Sequence, residues 1–213
     1  ERSDIPFFAV YGLIGVTFNY GCYFYAIRWT TVTTAIILLY TYPAVVTVLA
    51  ALFLNEKINR VKVIALLLTF SGCFLVAQGY DPQAFKLNLY GALLGFGAGL
   101  STALYSILGK KALVKYESWT AVLYAFGFGA LFLFILKSPL ALFQVDYPLP
   151  AWGAVLALAL LSTLLAYALF TTSMKYIEAS QASITSTLDG LLSVLWACLF
   201  LGENPASLQL LGA

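Results

Sequence analysis

Seven long stretches without a charged side chain dominate this chain. They are Ile5–Ile27, Trp29–Leu54, Val63–Gly79, Leu87–Gly109, Trp119–Leu136, Tyr147–Met174 and Ala179–Leu201, the last interrupted once, at Asp189. An eighth apolar run opens at Ala206 and reaches the chain end at Ala213. A bilayer-spanning helix needs about 20 predominantly apolar residues, whereas a barrel strand needs about ten with strict alternation. These runs are long and do not alternate, so they predict helices. Only 11 Lys+Arg and 9 Asp+Glu serve 213 residues, and 62% of the chain is hydrophobic. That is too little charge to coat a soluble domain and too much apolar surface for disorder. The expected fold class is all-α: a polytopic transmembrane helix bundle with seven full spans and the start of an eighth, embedded in a lipid bilayer.

Several chemistries are excluded. The chain has no His, so no imidazole serves as base, proton shuttle or metal ligand. Cys22, Cys73 and Cys198 lie in apolar runs without paired spacing and read as small packing residues. No phosphate loop, metal-ligand cluster or nucleophile–base pair is present. No enzyme, cofactor or metal site is therefore expected, and a net charge of +2 is no nucleic-acid footprint.

Lys and Arg set the expected orientation. One side collects Arg2, Lys57, Arg60, Lys62, Lys110, Lys111, Lys115 and Lys175; the other collects Arg28, Lys86 and Lys137. The first side, with the N-terminus, is expected to be cytoplasmic.

Shifted by 147 residues, Ala35–Glu56 aligns on Ala182–Glu203 without gaps. Both segments end in the shared exit LFLxE. Five crossings separate the copies, so they point opposite ways across the membrane. Inverted-topology repeats are an architecture of secondary transporters. The first repeat is assigned to residues 1–79, as its last three helices, and the second to residues 90–213, truncated in its last helix. On that reading the chain is a fragment of a five-plus-five helix protein.

Matched helix interruptions in two halves are the best sequence pointer to a transport site. Pro43 lies mid-helix in YTYPAVV, and Gly190 is its partner under the same offset. Proline frees a carbonyl and bends a helix, and glycine loosens one. Asp189 is the one ionisable group well inside a span, where a carboxylate costs about 2.5–3.5 kcal/mol on insertion scales. It can couple proton movement to substrate movement, or bind a cationic substrate. Ser186, Ser193 and Trp196 share its helical stripe. Tyr40 lies on the second helix, and Tyr42 is the positional twin of Asp189. Asn19 and Tyr105 are weaker candidates. Gly91, Gly95 and Gly99 form a GxxxGxxxG ridge for close helix packing.

Together Leu38–Lys57, Ala182–Glu203 and Tyr90–Lys111 resemble the drug/metabolite transporter superfamily, specifically EamA-type ten-helix carriers. Relatives of that type commonly carry Glu-Pro where this chain has Asp189-Gly190. The resemblance implies a plasma-membrane (bacterial inner-membrane) carrier. It implies export or exchange of small metabolites, often amino acids or related compounds, by alternating access. An accessory membrane subunit and a membrane-embedded enzyme are the rival readings.

Overall fold

The computed structural model of the chain describes residues 2–136, 148–201 and 206–212. Lys137, Tyr147, Glu203 and Ala213 lie outside them. The described chain is built from helices: α1 (Ile5–Trp29), α2 (Val32–Phe53), α3 (Arg60–Val76), α4 (Leu89–Ala112), α5 (Ser118–Leu136), α6 (Leu149–Ser173), α7 (Ala179–Phe200) and α8 (Ser207–Gly212). Six of these, α1, α2 and α4 to α7, are long and apolar enough to cross a membrane.

The seventh expected span, Val63–Gly79, is the 17-residue α3, displaced toward the N-terminus. Local chemistry sets its ends. The Asn59 side chain accepts the Lys62 N–H at 2.8 Å and caps the first turn among charged residues. Gln78 takes φ 60°, and Gly79 N–H returns to the Phe74 carbonyl at 2.8 Å, a Schellman ending. Seventeen residues rise about 26 Å, a little less than the roughly 30 Å hydrocarbon core.

The interior is filled by small and polar residues. Ala26, Ala35, Ala50, Ala98, Ala103, Ala121 and Ala125 are fully buried, as are Thr34, Ser106, Thr171, Ser180 and Ser183. Large apolar residues such as Leu67, Leu68, Leu156, Leu161 and Leu199 face outward. Water would drive the opposite arrangement. In lipid the outside is as apolar as Leu, and close packing of small residues holds helices together. The α4 glycine ridge follows this rule. A Cβ on Gly95 would sit 2.7 Å from the Leu38 side chain, and one on Gly99 would sit 3.1 Å from the Leu39 carbonyl.

The helix connections gather at two ends of the bundle. At the lysine-rich end, Lys115 and Tyr116 donate to Asp4, Lys175 pairs with Glu117, and Lys110 donates to the Met174 and Ile177 carbonyls. The Lys115 and Tyr116 bonds hold the Asp4 carboxyl below the usual carboxylate range. That clasp therefore persists at neutral pH and is lost as pH falls through the depressed value. At the other end Thr34 Oγ1 donates to the Lys86 carbonyl at 3.1 Å, and Asn88 Nδ2 donates to the Trp29 carbonyl. Among the described residues, Lys62, Lys110, Lys115 and Lys175 gather at one end and Lys86 lies at the other, as the Lys and Arg grouping predicts.

Among the described residues π-helical stretches occur at Leu13–Phe18 in α1, Leu158–Leu165 in α6 and Ala197–Leu201 at the end of α7. In the first two a threonine hydroxyl reaches a carbonyl five residues back: Thr17 to Gly12 at 3.4 Å and Thr163 to Leu158 at 3.1 Å.

Gly12 gives a sharp test of the small-residue packing. A Cβ there would lie 2.5 Å from the Ala125 carbonyl oxygen, whereas one on Gly127 meets nothing within 4 Å. Gly12→Ala is expected to lower stability by about 1–3 kcal/mol, as overpacking does. Gly127→Ala should be neutral or slightly stabilising. Thermal unfolding of the two variants in detergent checks this, and equal melting temperatures would remove the claimed constraint.

Candidate functional site

α2 and α7 are each interrupted. α2 divides at Tyr40–Thr41 into α2a (Val32–Leu39) and α2b (Tyr42–Phe53). α7 divides at Thr187, leaving α7a (Ala179–Ser186) before it and α7b (Leu188–Trp196) after it. Tyr40 and Thr187 are themselves 147 positions apart.

Proline explains why the α2 interruption precedes Pro43. Its ring clashes with the carbonyl one turn back and it has no N–H to donate, so it settles in the first turn of the next helix. Thr41 Oγ1 donates to the Leu38 carbonyl at 2.7 Å, which also accepts the Thr41 N–H at 3.2 Å. In α7, Thr187 Oγ1 donates to the Ile184 carbonyl at 2.6 Å, and Gly190 N–H reaches the Thr187 carbonyl at 3.2 Å. Pro43 and Gly190 thus mark the turn after each interruption, three residues beyond Tyr40 and Thr187.

The two interruptions meet. Tyr40 Oη donates to Asp189 Oδ1 at 2.8 Å. Tyr42 Oη lies 2.5 Å from Ser186 Oγ and donates to the Ser183 carbonyl at 3.1 Å. Ser193 Oγ donates to the Asp189 carbonyl at 2.7 Å. α2b packs along α7a, whereas α2a and α7b border a cavity of about 440 Å³ backed by α3. Ile36, Tyr40, Cys73, Thr187, Gly190 and Ser193 are among its walls, and no Lys or Arg is. Asp189 stands between two wall residues, Leu188 and Gly190, with its side chain exposed.

Tyr40, Asp189, Ser193 and Gly190 therefore gather at the cavity. Tyr42 and Ser186 lie in the packed seam between α2b and α7a. Trp196 is not brought to the cavity; it is exposed, with its ring 5.2 Å from Phe200. Asn19 Nδ2 donates to the Ala98 carbonyl at 3.0 Å and to Thr102 at 2.6 Å, tying α1 to α4. Tyr105 is buried against Tyr11 and Tyr167, with ring centroids 4.8 and 5.0 Å away. Thr69 and Cys73, on the α3 wall, carried no sequence signal, since neither belongs to the repeated segment.

Among the described residues no cluster of His, Cys, Asp and Glu could hold a metal. The arrangement offers one carboxyl, hydroxyls and an apolar wall: groups that bind and release a small molecule or a proton. The Tyr42–Ser186 bond should show in a double-mutant cycle. Tyr42→Phe with Ser186→Ala is expected to give a coupling of about 0.6 kcal/mol, up to about 1.7, as for polar pairs in membrane bundles. Zero coupling in a reversible unfolding assay would remove this bond from the seam's support.

The chain is similar to known proteins. The chain is 31% identical over 200 residues to an uncharacterized transporter of Archaeoglobus fulgidus, covering 92% of this chain and 68% of that one. It is 26% identical to the pseudopaline exporter CntI of Pseudomonas aeruginosa, covering 100% of this chain and 72% of that one. A solved crystal structure superposes with a TM-score of 0.81 at 19% identity, over 96% of this chain and 71% of the other, so the fold is shared. Residues 1–78 and 89–213 match the EamA-like transporter family. With this helical bundle and these relatives, the chain is an integral membrane protein that belongs to the EamA-like transporter family.

Proposed function

We propose that the protein is a secondary active transporter that moves small metabolites, amino acids or related compounds, by alternating access. The observation that carries this reading is the meeting of two interrupted helices at the Tyr40–Asp189 hydrogen bond beside a cavity. Broken helices at matching positions are how transporter folds expose polar backbone and a binding group at mid-membrane. The same reading takes residues 1–79 and 90–213 as two inverted repeats. The 147-residue offset supports it, since it relates both helix interruptions and overlays the π-helical stretch of α1 on that of α6.

Asp189 is the proposed coupling or cation-binding carboxyl; Tyr40 orients it, and Ser193, bonded to the Asp189 backbone carbonyl, lines the cavity beside it. Tyr42, Ser186 and Trp196 take second place, Tyr42 and Ser186 as the pivot of the seam. Pro43 and Gly190 keep the two junctions mobile. Protons are the proposed coupling ion and export the proposed direction, the latter supported by a relative named as an exporter. The lysine-rich end, with the N-terminus, is proposed to face the cytoplasm across a plasma membrane.

Reconstituted protein should move a labelled amino acid or related metabolite from a panel when a pH gradient is imposed. Asp189→Asn keeps the size and the Tyr40 partner but removes the ionisable group. It should lower gradient-driven transport at least about tenfold, an effect on the order of 1.4 kcal/mol. Intact proton-driven transport by Asp189→Asn would sink the coupling role. No movement of any panel member, with or without a gradient, favours an accessory subunit. Modification of the substrate rather than its movement favours an enzyme.

A further inference from the structure

The first turn of α7a has no cap of its own. Its N-cap residue, Glu178, makes no side-chain bond to the first turn. Other helices in the bundle are capped locally: Thr31 accepts the Thr34 N–H at 3.1 Å, Asn59 the Lys62 N–H, and Asn88 the Gly91 N–H at 2.7 Å. α7a takes its cap from another helix. Glu56 Oε1 accepts the Ala179 N–H at 2.7 Å, and Oε2 accepts the Ser180 N–H at 3.2 Å together with the Ser180 hydroxyl. A carboxylate at a helix N-terminus satisfies orphan donors and meets the positive end of the helix dipole.

The chain is shaped for this contact. Asn55 adopts φ 57°, which turns the backbone after α2b, and Glu56 N–H returns to the Ala50 carbonyl at 3.2 Å. Glu56 is only 7% exposed, and Lys62 is 5% exposed. Lys62 Nζ lies 2.6 Å from the Glu178 carboxylate and 3.6 Å from that of Glu56. Glu178, relieved of capping, is thus tied to the far side of the same junction. Under the 147-residue offset Glu178 corresponds to Thr31, which caps α2a locally. The two repeats treat the same helix start differently: one cap is local, and the other exists only while α2b and α7a lie together.

We propose that Glu56 is the gate latch of the lysine-rich end, closing α2b on α7a by capping α7a across the seam, and that transport requires its release. This rests on the transporter reading above. The conformation described here is the latched one, with the seam shut at the lysine-rich end and the cavity lying between α2a and α7b toward the other. Opening the lysine-rich end strips α7a of its cap, and that cost sets the balance between the two states.

The test is thiol accessibility in the reconstituted protein, with Cys22, Cys73 and Cys198 replaced by Ala. Ser183→Cys is the reporter, since Ser183 is fully buried in the seam one turn below Ser180. With Glu56 intact, a membrane-impermeant maleimide added at the lysine-rich side should label it slowly. Glu56→Ala and the milder Glu56→Gln should each speed labelling from that side about five- to tenfold, the shift expected for loss of one helix cap. Labelling from the opposite side should not change.

Glu178→Thr supplies a local cap like Thr31. Added to Glu56→Ala together with Lys62→Met, which removes the buried ammonium that would otherwise lose both carboxylates, it should restore the melting temperature while labelling stays fast; alone, with Glu56 intact beside Lys62, it should leave the reporter protected. Restored protection in the combined variant would mean that Glu56 only stabilises a helix, and the latch would be wrong. Equal labelling with and without Glu56, or faster labelling from both sides, would also overturn it. The readout needs no substrate, so a protein that transports nothing refutes the transporter reading through the flux assay and leaves the latch to be judged by labelling.

Discussion

Backbone N–H and C=O groups in hydrocarbon have no water to turn to, and the rest of this structure depends on how they are satisfied. A helix meets the demand internally, so every departure from regular helix needs a polar substitute close by. Several departures here have them. Thr41 and Thr187 bond the Leu38 and Ile184 carbonyls beside the α2 and α7 interruptions, and Tyr42 bonds the Ser183 carbonyl across the seam. Thr17 and Thr163 bond carbonyls in the π-helical stretches of α1 and α6. Many of the hydroxyls inside the spans are therefore the counterpart of irregular backbone. Asp189 keeps an exposed carboxyl inside its span.

Packing follows from the same solvent. With lipid outside, Leu and Phe gain nothing by turning inward, so Ala, Gly and Ser fill the seams and let backbones approach. Close approach brings the α4 ridge against α2a, while α2b and α7a share a seam through the Tyr42–Ser186 bond and the packing of Tyr42 and Val46 on Ala179 and Ala182. The proposed Glu56 latch adds that one end of this seam is held by bonds that reform or break as a unit.

Much of the fold was legible in the sequence because hydropathy is a local property. Charge-free runs located the helices, and the lysine-rich loops do come together at one end. α3 was placed three residues too far along the chain, since its ends are set by the Asn59 cap and the Gln78 turn and not by hydropathy. Pro43 and Gly190 were legible as helix-breaking residues, yet each interruption falls one turn earlier; in α2 this is because a proline disturbs the carbonyl behind it. Tyr40 and Asp189 were both candidates, but nothing in the sequence joined them. Trp196, chosen from helical spacing, lies on the Asp189 stripe of the same uninterrupted α7b, but two turns beyond the junction, where it is exposed and is not a cavity wall.

The sequence by itself determined that this chain is a membrane helix bundle, where its spans lie, and that two of its segments repeat. These follow from composition and periodicity, which the chain carries residue by residue. Only the tertiary structure decided which polar groups meet: Tyr40 with Asp189, Tyr42 with Ser186, and Glu56 with the start of α7a. Those partners are more than 120 residues apart. Their meeting depends on the rotation and crossing of several helices at once, set by small-residue packing spread over the whole bundle.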